Sequence, residues 1–385
     1  MRIVRTALLA AIVLGAVWLW RSAAPTLAAT ALVLDLAGGH DTALTWLPVS
    51  RRSVTTRDVD VPVRHGSVHA RLYLPSSPTG QTIAVFPGVH GGGVDEPRMS
   101  ALSRKLAASG LTVLSAPLPE LRAYTIRPRS TDDIEDVAGW LAGQSDVAPS
   151  GRIGLVGVSF AGGLALVAAG RPSLDGKLTL VGAFGTHSDL PRAMHYLCTG
   201  ELPDGTVQPP HDYGAVVILL AGLAHFAPPD QLDALRHAVV TFLDASSYDV
   251  TDPARSAQLF SEARRLEGVL PEPARTVMSW VNNRDVKTMG PKLLPYLEEL
   301  GGAPALSPER SPATHVPVFL LHGAHDNVIP YLETPRLDAY LRAQGNPRVT
   351  TLLTPLISHA SVAASPSALD AWRLIRFWAA MLSVG

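Results

Sequence analysis

One heptapeptide constrains this chain more than any other stretch: Gly157-Val158-Ser159-Phe160-Ala161-Gly162-Gly163. The apolar run Ile153-Gly154-Leu155-Val156 before it reads as a buried strand, and Leu164-Ala165-Leu166-Val167-Ala168-Ala169 after it reads as a helix. A serine therefore sits on the turn between them. A turn that sharp holds the Ser159 hydroxyl clear of the sheet and leaves the Phe160 N–H free to donate to an oxyanion. It tolerates only small residues two positions either side. Gly157 meets that demand, and Ala161, where the pattern has Gly, adds one methyl.

Around this elbow, strands and helices alternate. Val59 to Val63 and Val68 to Leu72 read as two antiparallel strands about a tight turn, with Pro62 placing the first at an edge. Thr82 to Phe86 is a buried strand, Pro97 to Ala108 a helix, and Leu111 to Leu114 the next strand. A helix follows from Ser130 to Ala142, with an aspartate-rich first turn suited to its dipole. Lys177 to Phe184 adds a strand after the elbow, and Val316 to Leu321 and Val349 to Leu353 complete the set. This spacing predicts an α/β chain with a mostly parallel sheet covered by helices on both faces.

Two further groups fall on the elbow's edge of that sheet. Asp326 lies just past one parallel strand, and Pro355-Leu356-Ile357-Ser358-His359 follows the last one. His359 can take the Ser159 proton while Asp326 fixes its tautomer and stabilises the imidazolium. The second oxyanion donor is expected in the glycine-rich loop Pro87-Gly88-Val89-His90-Gly91-Gly92-Gly93, where the backbone can approach a substrate closely. Because the strand ends at Phe86, Val89 is favoured; Gly91 or Gly92 take the role if His90-Gly91-Gly92-Gly93 is the donor motif. No G-x-G-x-x-G pattern is present for a dinucleotide.

From residue 186 to 312 the pattern turns helical. Candidate helices run from Leu190 to Leu197, Gly214 to Phe226, Pro229 to Leu243, Ala254 to Leu266 and Pro291 to Leu300. Residues 215–224 are apolar all round but too short to span a bilayer, which suits the inside of a helical lid. Such a lid would exclude water and shape an acyl pocket. Residues 1–21 carry Arg2 and Arg5 ahead of an apolar run ending in Trp18 and Trp20, the pattern of an export signal or anchor. The tryptophans favour an uncleaved anchor with the rest of the chain outside the cytoplasm. Thr26-Leu27-Ala28 and Ala29-Thr30-Ala31 offer small residues should it be cleaved. Residues 22–57 read as a connector, helical through residue 50.

Composition excludes other classes. A formal net charge of −1 with scattered arginines provides no footprint for nucleic acid. The single cysteine, Cys198, rules out an intrachain disulfide and reads as a structural thiol. His322, His325 and Asp326 sit on a loop without the spacing of a zinc site, so neither metal nor other cofactor is expected.

With these residues in hand, the sequence resembles the α/β-hydrolase superfamily, in its dienelactone-hydrolase-like and carboxylesterase-like bacterial branches. Gly157 to Gly163 matches the elbow, Leu321-His322-Gly323-Ala324-His325-Asp326 the acid loop, and Ser358-His359 the histidine loop. The resemblance covers residues 58–185 and 313–385, with residues 186–312 as the cap insertion. It implies an eight-stranded core and acyl transfer to water through an acyl-serine. Serine at position 159 speaks against dienelactone hydrolysis proper, which uses cysteine there, and against the haloalkane branch, which uses aspartate. The expected substrate is a small-molecule or lipid-like ester, and the expected membrane contact runs through the N-terminal segment. An envelope acyltransferase or a catalytically idle binding protein would carry the same fold.

Overall fold

The computed structural model describes residues 23–35, 52–357 and 367–384. Residues 23–35 form helix α1. A hairpin follows, β1 (Val54–Val63) and β2 (Gly66–Pro75), paired antiparallel so that Val63 faces Gly66 across a two-residue turn. Then come β3 (Thr82–Phe86), α2 (Pro97–Ala108), β4 (Thr112–Ser115), the single turn α3 (Pro119–Arg122), α4 (Pro128–Ala142), β5 (Ile153–Val158), α5 (Phe160–Ala169) and β6 (Leu178–Phe184). Seven helices intervene: α6 (Leu190–Thr199), α7 (Asp212–Ala221), α8 (Leu232–Tyr248), α9 (Pro253–Val269), α10 (Ala274–Asn282), α11 (Val286–Leu293) and α12 (Leu297–Gly301). The chain returns with β7 (Val318–Gly323), α13 (Glu333–Ala343), β8 (Val349–Thr354) and α14 (Ala368–Leu382).

The sheet has eight strands in the order β1-β2-β4-β3-β5-β6-β7-β8. Only β2 runs against the rest, antiparallel to both β1 and β4; from β4 to β8 every pairing is parallel. The central strands are apolar on both faces because each face is covered. Ala84 and Phe86 pack with α4 and α5, whereas Ile83 and Val85 pack with α1, α2 and α14. Helix α1 belongs to this second layer, where Ala29, Leu32 and Val33 are buried and Lys105 donates to the Asp35 carbonyl at 2.9 Å.

Several expectations need correction. The first strand starts at Val54, so residues 54–57 belong to the sheet and not to a connector. Helix α4 begins with Pro128 at its first turn, which moves Asp132 and Asp133 into the second. Asp132 and Glu135 instead receive Arg171, at 2.7 and 2.5 Å, so this acidic group serves an ion-pair cluster and not the helix dipole. No single helix spans Pro291 to Leu300: Pro291 lies inside α11, which passes through one 3-10 turn (Leu294–Tyr296) into α12. Helices α10 and α11 carry no counterpart among the sequence expectations up to residue 290. Among the described residues no helix is long and apolar enough to cross a membrane. The expected anchor, residues 1–21, lies outside the described residues.

Candidate active site

Ser159 follows β5 directly and caps α5, with backbone angles φ 58° and ψ −136°. Such a conformation is costly for any residue with a side chain, and the surroundings hold it in place. The Ser159 amide donates to the Phe184 carbonyl at 2.8 Å, continuing the β5–β6 ladder, while the Ser159 carbonyl accepts from Gly162 at 3.0 Å. Closeness explains the small neighbours. A Cβ on Gly157 would stand 2.3 Å from the Ala161 carbonyl oxygen, and one on Gly163 2.5 Å from the His187 ring. Ala161 itself is fully buried, so the extra methyl is accommodated. Phe160 opens the helix, and its N–H is one of the first-turn donors with no acceptor inside it.

The glycine-rich loop after β3 meets the elbow from one side. A Cβ on Gly88 would lie 2.7 Å from Ser159 Cβ and 3.3 Å from Ser159 Oγ. Gly88→Ala therefore has to push apart two strand ends paired at Phe86 and Gly157. The expected result is a fall in kcat of about 100-fold or more, with the thermal midpoint of unfolding moved far less, both measured on the purified variant. The neighbouring amides differ in their commitments. Gly92 N–H donates to His90 Nδ1 at 2.9 Å, and Gly91 packs against the Tyr124 hydroxyl, which a Cβ there would approach to 2.8 Å. Burial holds the His90 imidazole below its ordinary value, so it is neutral near pH 7.

Asp326 lies three residues past β7 and is buried. Its Oδ1 accepts from the amides of Val328 and Ile329 at 2.8 and 3.0 Å, and Oδ2 lies 3.3 Å from His322 Nε2. His322 has both ring nitrogens engaged, Nδ1 with Thr334 Oγ1 at 2.6 Å and Nε2 with the Ile329 carbonyl at 3.1 Å. Ser159 and Asp326 leave the same edge of the sheet from strands separated by β6 alone. Two strand spacings put their backbones about 10 Å apart, room for an imidazole between the side chains. Ser358 and His359 lie outside the described residues, as does the segment up to 366; β8 delivers the chain to that edge, ending at Thr354.

An eight-stranded sheet of this strand order, with a serine forced into positive φ after its fifth strand and a buried carboxylate after its seventh, decides the architecture. The chain has the α/β-hydrolase fold. In this hydrolase fold the segment between β6 and β7 lies over the carboxyl edge. Gln208 Nε2 donates to the Asp326 carbonyl at 3.2 Å, the His211 amide to the Asn327 carbonyl at 2.7 Å, and the Tyr213 hydroxyl to the Val89 carbonyl at 3.1 Å. Helix α7 is buried from Gly214 to Leu220, the inside of the helical layer. Cys198 is buried there too, its thiol pushed up to about 12 by desolvation and so inert as a nucleophile. Burial first, and the Asp326 charge second, raise the Tyr196 phenol above its ordinary range.

No family model and no curated protein matches the chain. Solved structures do. An esterase from Pyrobaculum calidifontis is 18% identical with a TM-score of 0.47, covering 88% of each chain. Carboxyl esterase 2 from the fungus Tuber melanosporum is 15% identical, TM-score 0.48, covering 86% of this chain and 85% of its own. A putative dienelactone hydrolase from Klebsiella pneumoniae is 15% identical, TM-score 0.42, covering 85% of this chain and 99% of its own. Identities this low say nothing of substrate.

Proposed function

We propose that this chain hydrolyses carboxylic esters through an acyl-serine, with Ser159 as nucleophile, His359 as general base and then acid, and Asp326 orienting the imidazole. The observation that carries the reading is Ser159 itself, held at φ 58° on the sheet's carboxyl edge with Gly88 against its side chain. Ser159 Oγ attacks the acyl carbon as its proton passes to His359. The tetrahedral oxyanion is met by the N–H groups of Phe160 and Val89. Collapse expels the alcohol, which takes the proton; a water deprotonated by His359 then attacks the acyl carbon and frees the acid and Ser159. The Val89 assignment draws support from one rival, since the Gly92 amide already has its acceptor within the loop, His90 Nδ1.

The apolar inside of the helical layer favours an uncharged acyl or alkyl ester, lipid-like or small. The test is covalent labelling with a fluorophosphonate, with peptide mapping of the adduct, followed by turnover of p-nitrophenyl esters of increasing chain length. Labelling at Ser159 with ester turnover supports the reading; an unlabelled Ser159 leaves an idle fold. Product analysis with an added acceptor alcohol separates hydrolysis from acyl transfer. For the N-terminus the proposal is an uncleaved anchor holding the enzyme on the outer side of the membrane. Its support is that Ala28, Ala29 and Ala31, the residues at the candidate cleavage positions, are buried in α1 against the core. Mass measurement of membrane-extracted protein should give the full chain; a mass starting after Ala28 or Ala31 refutes it.

A further inference from the structure

The oxyanion loop is clasped by a polar network that ester chemistry alone does not call for. Tyr213, in the first turn of α7, donates its hydroxyl to the Val89 carbonyl at 3.1 Å. Tyr124, fully buried, donates to Asp244 Oδ1 at 2.6 Å and lies 2.9 Å from Ser247 Oγ, both on α8. His90, whose Nδ1 is taken by Gly92, turns Nε2 toward the Ser247 carbonyl at 3.4 Å. The two phenol rings pack edge to face, with centroids 6.2 Å apart. Both phenols are raised well above their ordinary range, first by burial, then by the Asp244 carboxylate for Tyr124 and by Tyr124 ahead of Asp244 for Tyr213, so both stay protonated as donors.

Two features tie this network to the site. Tyr124 is held at φ 58°, a strained backbone for a tyrosine, and a Cβ on Gly91 would stand 2.8 Å from its hydroxyl and 2.9 Å from Asp244 Oδ1. The loop thus fits the network only with glycine at position 91. Val89, whose N–H faces the oxyanion in the reading above, has its other peptide group pinned by Tyr213. With that peptide plane pinned, the Val89 N–H can turn only through φ and ψ of Val89 itself, which narrows its direction.

We propose that Tyr213 and the Tyr124–Asp244 pair are positioning residues, through which helices α7 and α8 of the insertion set the oxyanion donor Val89 of the glycine-rich loop. The insertion then does more than cover the site: the hole is assembled only when α7 and α8 are seated on the glycine-rich loop. This rests on the ester-hydrolase reading for its kinetics, but not for its structural half.

Losing a positioning group should weaken the transition state and leave ground-state binding alone. Tyr213→Phe and Asp244→Leu are expected to lower kcat roughly 10- to 100-fold with KM within about twofold. Affinity for a trifluoromethyl ketone, which forms the tetrahedral adduct, should fall in step with kcat/KM. Asp244→Asn keeps an acceptor for the Tyr124 hydroxyl and should restore most of the rate. Thr241→Ala, on the same face-packed helix but outside the network, serves as the control for general loosening of α8. Hydrogen exchange of the peptide spanning residues 87–95 is read in parallel on the full chain, and should rise in Tyr213→Phe and Asp244→Leu alone. Rates within twofold of wild type, or a rise in KM at unchanged adduct affinity, overturn the proposal, as does exchange that rises equally in Thr241→Ala. If the wild type itself neither labels nor turns over, the ester reading falls, and the exchange measurement still decides whether the insertion holds the loop.

Discussion

Ser159→Ala is expected to lower kcat for an activated ester by roughly 10⁴- to 10⁶-fold, with the fold intact. The size follows from the chemistry: without the hydroxyl there is no acyl-enzyme, and only the oxyanion donors and binding remain, which leave a residue of about a thousandfold over water in such sites. The fold should tolerate the change because, among the described residues, the Ser159 side chain makes no capping hydrogen bond to the backbone; the elbow is held through its amide and carbonyl. Alanine at φ 58° costs no more than serine does there. The thermal midpoint should therefore stay close to that of wild type while fluorophosphonate labelling vanishes. Residual turnover within tenfold of wild type would remove Ser159 from the mechanism, whatever its geometry.

The elbow was legible in the sequence because its demands are local. A strand, a serine and a run of small residues within seven positions leave few alternatives, and the close approach of the Ala161 backbone to Gly157 and of the His187 ring to Gly163 explains why glycines stand there. Asp326 was legible for a related reason, since a buried apolar strand announces where its carboxyl end must be. Element boundaries were less so. Thr55, Thr56 and Arg57 give no apolar alternation, yet they pair with Leu74, Tyr73 and Leu72 because β2 offers its whole length. Pro291 reads as a helix start, but α11 runs through it, giving up the bond its N–H would have made to the Lys287 carbonyl, and ends two residues later. The residues of the insertion bonded to the glycine-rich loop and to Tyr124 had no signal at all. Tyr213 and Val89 are 124 positions apart, and Tyr124 and Asp244 are 120, so the contacts exist only once the insertion has folded onto the sheet.

The same separation hides the residue whose loss should cost the fold most. Glu333→Ala is expected to destabilise the protein by about 3–5 kcal/mol, the cost of leaving one partner of a buried ion pair uncompensated. Against a total of about 5–15 kcal/mol for a typical domain, that takes a large share. Glu333 is completely buried at the start of α13. Its Oε1 receives Arg192 Nε at 2.7 Å, and its Oε2 receives Arg192 Nη2 at 3.0 Å, the Ser188 amide and hydroxyl at 2.9 and 2.8 Å, and the Asp189 amide at 3.1 Å. One carboxylate thus joins the exit from β6, the first helix of the insertion and the helix behind the acid loop. Burial alone would raise its pKa, but Arg192 and the Ser188 donors outweigh that and hold it below the ordinary 4.5. A folded-state value below the unfolded one means the stabilisation is complete above about pH 4.5 and is lost as pH falls through the folded value. Denaturant titrations from pH 7 down to pH 3 should show wild type losing stability in that acid range, with Glu333→Gln weaker at pH 7 and flatter below it. Replacing both partners, Arg192→Met with Glu333→Met, should recover much of the loss, because the penalty lies in the orphaned charge and not in the absence of the pair. A double variant as weak as Glu333→Ala would instead assign the cost to the Ser188 and Asp189 amides, which lose their acceptor in both.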